Sequence, residues 1–398
     1  MFRTGITVTT LASALASALV GAVASAVALL LLTGGVAHAT GTRHRYDQAQ
    51  LQRDLDAIHD TGVSGVLAEV TIGSRRLRGT AGVADLDAGG PVAADGYFRM
   101  GSNTKTFVAV VVLQLVAEGR LSLDDPVERW LPGLVAGNGN DGAAVTVRQL
   151  LQHTSGLHDY TDDLLARIGS VEDYQRFRYE RFTPHQLVAM AMAHGPDFAP
   201  GRGWKYSNTN YVLAGLVIGR VTGRDWAREV RDRVVRPLGL RHTYAPGDAT
   251  DLPGPHAAAY LYFDRDTPIE TADASVTWAD AAGALVTTAS DLSRFWSAVG
   301  RGTLLRAAQA KQMRTTVAGS TFEEERPGGR YGLGIEWAPL SCGGGYWSHA
   351  GDMPGFSTRT GVSADGRRTV VISTSTSAES PVDRAAFAMI DHALCGIG

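Results

Sequence analysis

"FRMGSNTKTFVAVVVLQLVAEG", Phe98 to Gly119, is the stretch that decides the fold. Gly101 and Ser102 open a run that is apolar on every side, and Lys105 sits one turn into it. Lysine is scarce: the chain has only Lys105, Lys205 and Lys311. A helix apolar all round is a buried helix. An amine placed there loses water, which lowers its pKa. Residues three apart share a helix face, so Ser102 and Lys105 are expected to meet. A helix N-terminus offers unpaired N–H groups and the positive end of a dipole. Both favour a serine oxygen that must become anionic, and an oxyanion forming beside it. The pair therefore reads as a nucleophile with its activating amine. Taken alone, it also fits a helix cap followed by a snorkelling lysine.

Two further stretches carry matching chemistry. In "GWKYSNTNYVLAG", Tyr206-Ser207-Asn208 opens a predicted helix. A phenol near an ammonium has its phenolate favoured, which makes Tyr206 a candidate general base. Asn208 offers a donor and an acceptor to fix an amide. In "WSHAGDMPGF", His349 precedes Ala350-Gly351 in a predicted strand, where small residues let a substrate backbone approach.

Outward from these, the pattern divides. "DQAQLQRDLDAIHDTG" reads as a helix with Leu51, Leu55 and Ile58 on one face. "VLAEVTIGSRRLRGTAGVADL" reads as a hairpin turning at Gly73-Ser74. From about residue 121 to 290 the punctuation is helical. Asp125-Pro126 looks like a cap with proline at the first helical position. Thr146 to Gln149 and Thr183 to Gln186 have capping-box spacing, and Pro237 is expected to end the helix before it. Strands return in "YGLGIEWAP", "GGYWSHAG", "FSTRTGVSADG" and "RRTVVISTSTS", and a helix from Ser380 carries Phe387, Ile390 and Leu394. The expectation is an α+β fold. Residues 40–120 and 291–398 form one discontinuous domain, an antiparallel sheet flanked by helices, and residues 121–290 form an all-helical insertion.

The chain of 398 residues, 44% apolar and 19% charged, has an ordinary globular composition. A formal charge of −3 with no like-charge run gives no footprint for nucleic acid or an acidic membrane. Residues 1–39 differ. Arg3, a 22-residue apolar stretch and Ala37-His38-Ala39 form the pattern of a secretory signal, cleaved after Ala39. Cleavage removes Arg3 alone and takes the charge to −4. The stretch is also long enough to span a bilayer, so an uncleaved anchor is the competing reading. Export, and hence a secreted location, puts Cys342 and Cys395 where disulfides persist. A bridge between them is expected, with two separate buried thiols as the alternative. It would stabilise by roughly 4 kcal/mol on the loop-entropy model.

Together and in this order, Ser102-Asn103-Thr104-Lys105, Tyr206-Ser207-Asn208 and His349-Ala350-Gly351 resemble the three motifs of the serine penicillin-recognising enzymes. The match is to the class C β-lactamase and DD-peptidase branch. It is strongest with the secreted actinomycete D-alanyl-D-alanine carboxypeptidases, and extends from about Tyr46 to Cys395. The resemblance implies a β-lactamase/transpeptidase-like fold and Ser102 as the acylated nucleophile. Lys105 and Tyr206 would share the proton traffic, and His349 would complete their hydrogen-bond network. Asn208 would hold the acyl-side amide. The backbone N–H groups of Ser102 and Asp352 would form the oxyanion hole beside Gly351. Trp278 and Thr161 would line the pocket. No metal and no cofactor are implied. His153, His158 and Asp159 are close in sequence, but "LLQHTSGL" belongs to a family-like connecting segment.

One departure matters. Carboxypeptidases of this branch read a free substrate carboxylate with an arginine and two hydroxyls. The matching positions here are Glu336, Ala350 and Asp352. A like-charge contact at 4 Å costs about 1 kcal/mol in water and roughly 4 at a protein-surface dielectric. The expected substrates are therefore small peptides, peptidoglycan-like fragments, amides or esters of D-amino acids whose leaving side is neutral or cationic. Neutralisation of Asp352 by Arg359 is the competing arrangement. A class C-type β-lactamase and a non-catalytic β-lactam sensor are the alternative functions.

Overall fold

The computed structural model describes residues 45–263, 267–377 and 380–396. The signal-like segment lies outside them, and the described residues form one compact unit. Among the described residues, none of the helices is long and apolar enough to cross a membrane.

The sheet is antiparallel, as expected, and has nine strands. Its strands run in the order Arg75–Gly82, Gly65–Ile72, Arg368–Thr374, Phe356–Ser363, Gly345–Ser348, Glu336–Pro339, Arg330–Tyr331 and Val317–Ala318. The ninth, Gly351–Met353, pairs with the start of Phe356–Ser363. An early strand and the last strand pair one strand in from an edge of this sheet, where Val66 to Ile72 runs opposite Thr374 to Arg368. Alternation along these strands sorts side chains between the faces. Val66, Ala68, Val70, Val370 and Ile372 pack under the terminal helices Gln48–His59 and Ser380–Cys395. Leu67 and Val371 point the other way, into the core shared with the helix Thr104–Ala117.

That helix is buried on every side from Thr104 to Leu113. It forms the hub on which the helices Thr209–Thr222 and Ala289–Arg301 pack. The capping boxes at Thr146 and Thr183 are both formed. Two expectations are corrected. The helix after Asp125 begins at Val127, with Pro126 extended as its cap residue. The Asp125 carboxylate instead accepts from Ser122, Arg129 and Trp130. Pro237 does not end its helix, which continues to Leu238. The turn before it, Arg231–Val235, is a π-turn, whose shifted ladder accommodates the missing proline N–H. The disulfide is formed, between the loop after Glu336–Pro339 and the last residue of the final helix.

Candidate active site

Gly101 adopts a positive φ of 53° and opens a single 3₁₀ turn, Gly101–Asn103, ahead of the buried helix. Only glycine enters that conformation without steric cost. A Cβ at Gly101 would stand 2.6 Å from the backbone N of Asp352. One at Gly351 would stand 2.0 Å from the carbonyl of Met100 and 2.8 Å from the N of Ser102. The serine turn and the strand Gly351–Met353 thus pack backbone on backbone. This brings the N–H groups of Ser102 and Asp352 to one place at the cleft floor.

Lys105 is fully buried. Its ammonium donates to Ser102 Oγ at 2.9 Å, Asn208 Oδ1 at 2.6 Å and the Ala282 carbonyl at 2.9 Å. Burial lowers its pKa from 10.5 to about 7, against the opposing pull of Asp159. Asn208 is held in turn: its amide donates to Asp159 Oδ2 at 3.0 Å and Thr161 Oγ1 at 3.3 Å. Burial pushes the Asp159 carboxyl up, while the Thr161 and Asn208 donors pull it down.

Tyr206 lies beside the serine, and the Lys105 ammonium sits 4.8 Å from its ring centre. The expected phenolate is not favoured. Burial holds the phenol well above 10, and contact with Ser102 only partly offsets this. Tyr206 therefore stands as a neutral phenol, able to give a proton as well as pass one.

His349 also departs from expectation. It is buried, and it sits between strands rather than within one. Its Nδ1 is 2.6 Å from the Ala350 carbonyl, so Nδ1 carries the hydrogen. Its Nε2 then accepts from the Tyr331 hydroxyl at 2.8 Å. The Tyr331 oxygen is 3.2 Å from His153 Nε2, and His153 Nδ1 accepts from the Ser207 N–H at 3.2 Å. The His153 ring lies 4.2 Å from that of Tyr206. Burial lowers His349 to about 4 and His153 well below its usual value, so both rings are neutral. The three side chains form a supporting network behind Tyr206. Of the trio His153, His158 and Asp159, the first serves this network and the third serves Asn208.

Ser102, Thr161, Tyr206, Asn208, Trp278, His349 and Asp352 all line one cleft of about 490 Å³, whereas Gly351 does not line it and instead packs against the backbone of the serine turn. Glu336 does not line it. Its carboxylate is buried and paired with Arg326 at 2.6 Å, and it accepts from Thr321 at 3.1 Å. It therefore presents no free charge to a leaving group. Asp352 does reach the cleft, with its side chain 53% exposed, and Arg359 donates to it at 2.9 Å. Arg359 also binds Asp383 at 2.6 Å, so a single guanidinium serves two carboxylates.

Sequence reasoning missed the apolar walls. Leu164, Leu165, Ile168, Tyr174, Phe177 and Phe322 face the cleft. Four of these lie on the two short helices Tyr160–Leu165 and Val171–Phe177, with Ile168 in the turn between them, and apolar residues on short helices read the same whether they face core or cleft. The Ala282 carbonyl, which takes one proton of the amine, had no local signal either. Tyr331 stands in the quoted "YGLG" stretch, but only the folded chain brings it to His349.

The family model "Beta-lactamase" matches residues 32–394. The chain is 42% identical to the D-stereospecific amidohydrolase from a Streptomyces species, with a TM-score of 0.79, over 86% of this chain and 99% of that one. It is 27% identical to the D-amino acid amidase from Ochrobactrum anthropi SV3 complexed with L-phenylalanine amide, with a TM-score of 0.75, over 86% and 96%. Esterase EstB of Burkholderia gladioli is 38% identical over 212 residues, which span 50% of this chain and 53% of the esterase.

Proposed function

The chain belongs to the β-lactamase family of serine hydrolases, and from that premise we propose that it is an exported acyl-hydrolase for amides and esters of D-amino acids bearing a bulky apolar group. One observation carries the specificity. The cleft is walled by apolar side chains, its rim carries the Asp352 carboxylate, and no lysine or arginine is among its lining residues. A substrate with a free carboxylate on its leaving side would meet the Asp352 carboxylate, offset only in part because its partner Arg359 also serves Asp383, and no cation among the lining residues. A neutral amide, an ester or an amine-bearing end would not. The same argument disfavours a β-lactamase, because β-lactam antibiotics carry that anion. The non-catalytic sensor reading gives way to the family's hydrolases and to the intact set of Ser102, Lys105 and Tyr206. The preference for D-amino acids rests on the similar amidohydrolase and amidase. Esters are included because the acyl-enzyme chemistry is shared with the similar esterase.

The geometry supports a definite course. Neutral Lys105 takes the proton of Ser102, and Ser102 Oγ bonds to the substrate carbonyl carbon. The resulting oxyanion receives the N–H groups of Ser102 and Asp352. As the carbon–nitrogen bond breaks, Tyr206 gives its proton to the leaving amine and regains one from the Lys105 ammonium. Water then attacks the acyl-enzyme along the reverse proton route, and the acid product leaves with Ser102 restored. Export is supported by the signal-like residues 1–39 and by the disulfide, which persists in oxidising compartments.

The test compares two matched pairs: an acylated D-Ala-D-Ala acid with its C-terminal amide, and D-phenylalanine amide with D-alanine amide. The expected result is faster turnover of the C-terminal amide than of the acid, and of D-phenylalanine amide than of D-alanine amide. Faster cleavage of the acid would restore the carboxypeptidase reading.

A further inference from the structure

A second cluster lies outside the catalytic set. His158 precedes the short helix Tyr160–Leu165, Asp163 lies within that helix, and His194 follows the helix Pro184–Met192. His194 Nε2 is 2.9 Å from Asp163 Oδ1, and His158 Nε2 is 3.7 Å from Asp163 Oδ2. The candidate ligand atoms all lie within 4.8 Å of one another. The two imidazole rings are stacked, with centres 4.0 Å apart.

An ion pair between His194 and Asp163 would account for two of these groups and leave the third unexplained. His158 Nε2 and Asp163 Oδ2 are both buried, and neither has a hydrogen-bond partner among the described residues. Leaving a buried polar atom without a partner is destabilising. Here two such atoms face each other beside a second imidazole. Tetrahedral zinc binds nitrogen and oxygen at about 2.0–2.2 Å, which places neighbouring ligand atoms about 3.3–3.5 Å apart. The candidate atoms, at most 4.8 Å apart, are somewhat wider than that spacing, and each imidazole now faces a different oxygen of Asp163, so small side-chain rotations would close the set on an ion. Two imidazoles and one carboxylate suit a borderline ion such as Zn²⁺ better than Ca²⁺ or Mg²⁺, which prefer oxygen. His194 is 44% exposed, which leaves an entry path and room for a water as fourth ligand.

We propose that His158, Asp163 and His194 bind a divalent transition metal of the Zn²⁺ class, although the motifs led us to expect no metal. The ion would tie the helix Tyr160–Leu165 to the end of Pro184–Met192. The first of these helices carries Thr161 and Leu164 to the cleft. It is capped by Asp159, which holds Asn208 through its other oxygen. The site therefore braces one wall of the cleft from outside, and the ion does not touch the reacting atoms.

The test titrates Co²⁺ into the chelator-treated, untagged protein and follows visible absorption, with Zn²⁺ as competitor. The expected result is a saturable spectrum at one equivalent, displaced by Zn²⁺ and weakened at least tenfold in affinity in His194→Ala and Asp163→Asn. Zn²⁺ should also raise the melting temperature of the parent protein and not that of His194→Ala. Circular dichroism of His194→Ala checks that the fold is kept, so that a lost metal response reads on the site itself. No saturable spectrum, or one unchanged in His194→Ala, overturns the proposal.

Discussion

At the scale of single residues, the reactivity turns on how Lys105 is solvated. Its amine is fully buried, and all three of its partners are neutral oxygens. Loss of water is not repaid by a directly contacting carboxylate, so the charged form is disfavoured and the pKa falls to about 7. The sign follows. Below that value the amine holds its proton and cannot accept one from Ser102. Above it, the neutral amine can. kcat/KM should therefore fall about tenfold per pH unit below pH 7 and level off above it. A flat profile from pH 5 to 8 would remove Lys105 as the base. Tyr206→Phe should lower kcat about 10²–10⁴-fold, the usual contribution of a positioned proton donor, with the fold intact by circular dichroism. The Ser102–Lys105 relation was legible because three residues of helix fix it. The state of Tyr206 was not, because it depends on burial by residues far away in sequence. Glu336 was misread for a similar reason. Its partner Arg326 stands ten residues earlier, across a turn that no spacing rule connects. Glu336→Ala should leave a buried guanidinium uncompensated, costing about 3–5 kcal/mol in denaturant unfolding. It should not change the preference for amide over acid, whereas Asp352→Thr should shift that preference toward the acid.

Elements enter through the contact between the serine turn and the strand Gly351–Met353. Neither Gly101 nor Gly351 can carry a side chain there, since each Cβ would fall within 3 Å of backbone atoms of the other element. Backbone cannot swing aside as a side chain can. Gly351→Ala should therefore part the two elements and misplace the N–H of Asp352. Loss of one oxyanion donor typically costs about 10²–10³ in kcat. The measurement is kcat beside KM for one amide substrate. A fall in kcat of that size with KM held within a few-fold is expected, and an unchanged kcat would place the oxyanion hole elsewhere. Glycine before Ser102 was readable as a tight entry, and the structure supplies the reason, a positive φ together with close approach. The π-turn before Pro237 was not readable, because it arises from packing of Val234 and Val235 into the central core rather than from the proline alone.

Across the whole molecule, strands at both ends of the sequence implied a sheet closed by the two ends, and the pairing of Val66–Ile72 with Arg368–Thr374 is that closure. The cleft walls stayed hidden, because an apolar face on a short helix reads the same whether it meets core or open space. The terminal helices cover the face of the sheet away from the cleft, and the disulfide lies on that side. Cys342 and Cys395 are 53 residues apart, and their bridge ties the edge of the sheet to the end of the final helix. Ser341 beside it donates to Asp391 of the same helix at 2.8 Å. Constraining a loop of that length in the unfolded chain stabilises by about 4 kcal/mol. None of the catalytic groups touches this region. Replacing both cysteines by serine should therefore lower the melting temperature by roughly 5–10 °C at the size-scaled rate of about 2 °C per kcal/mol. Turnover at 25 °C should stay within twofold of the parent. If turnover fell in proportion to the lost stability, the two faces of the sheet would be coupled, and the cleft would depend on a bridge that its own contacts do not require.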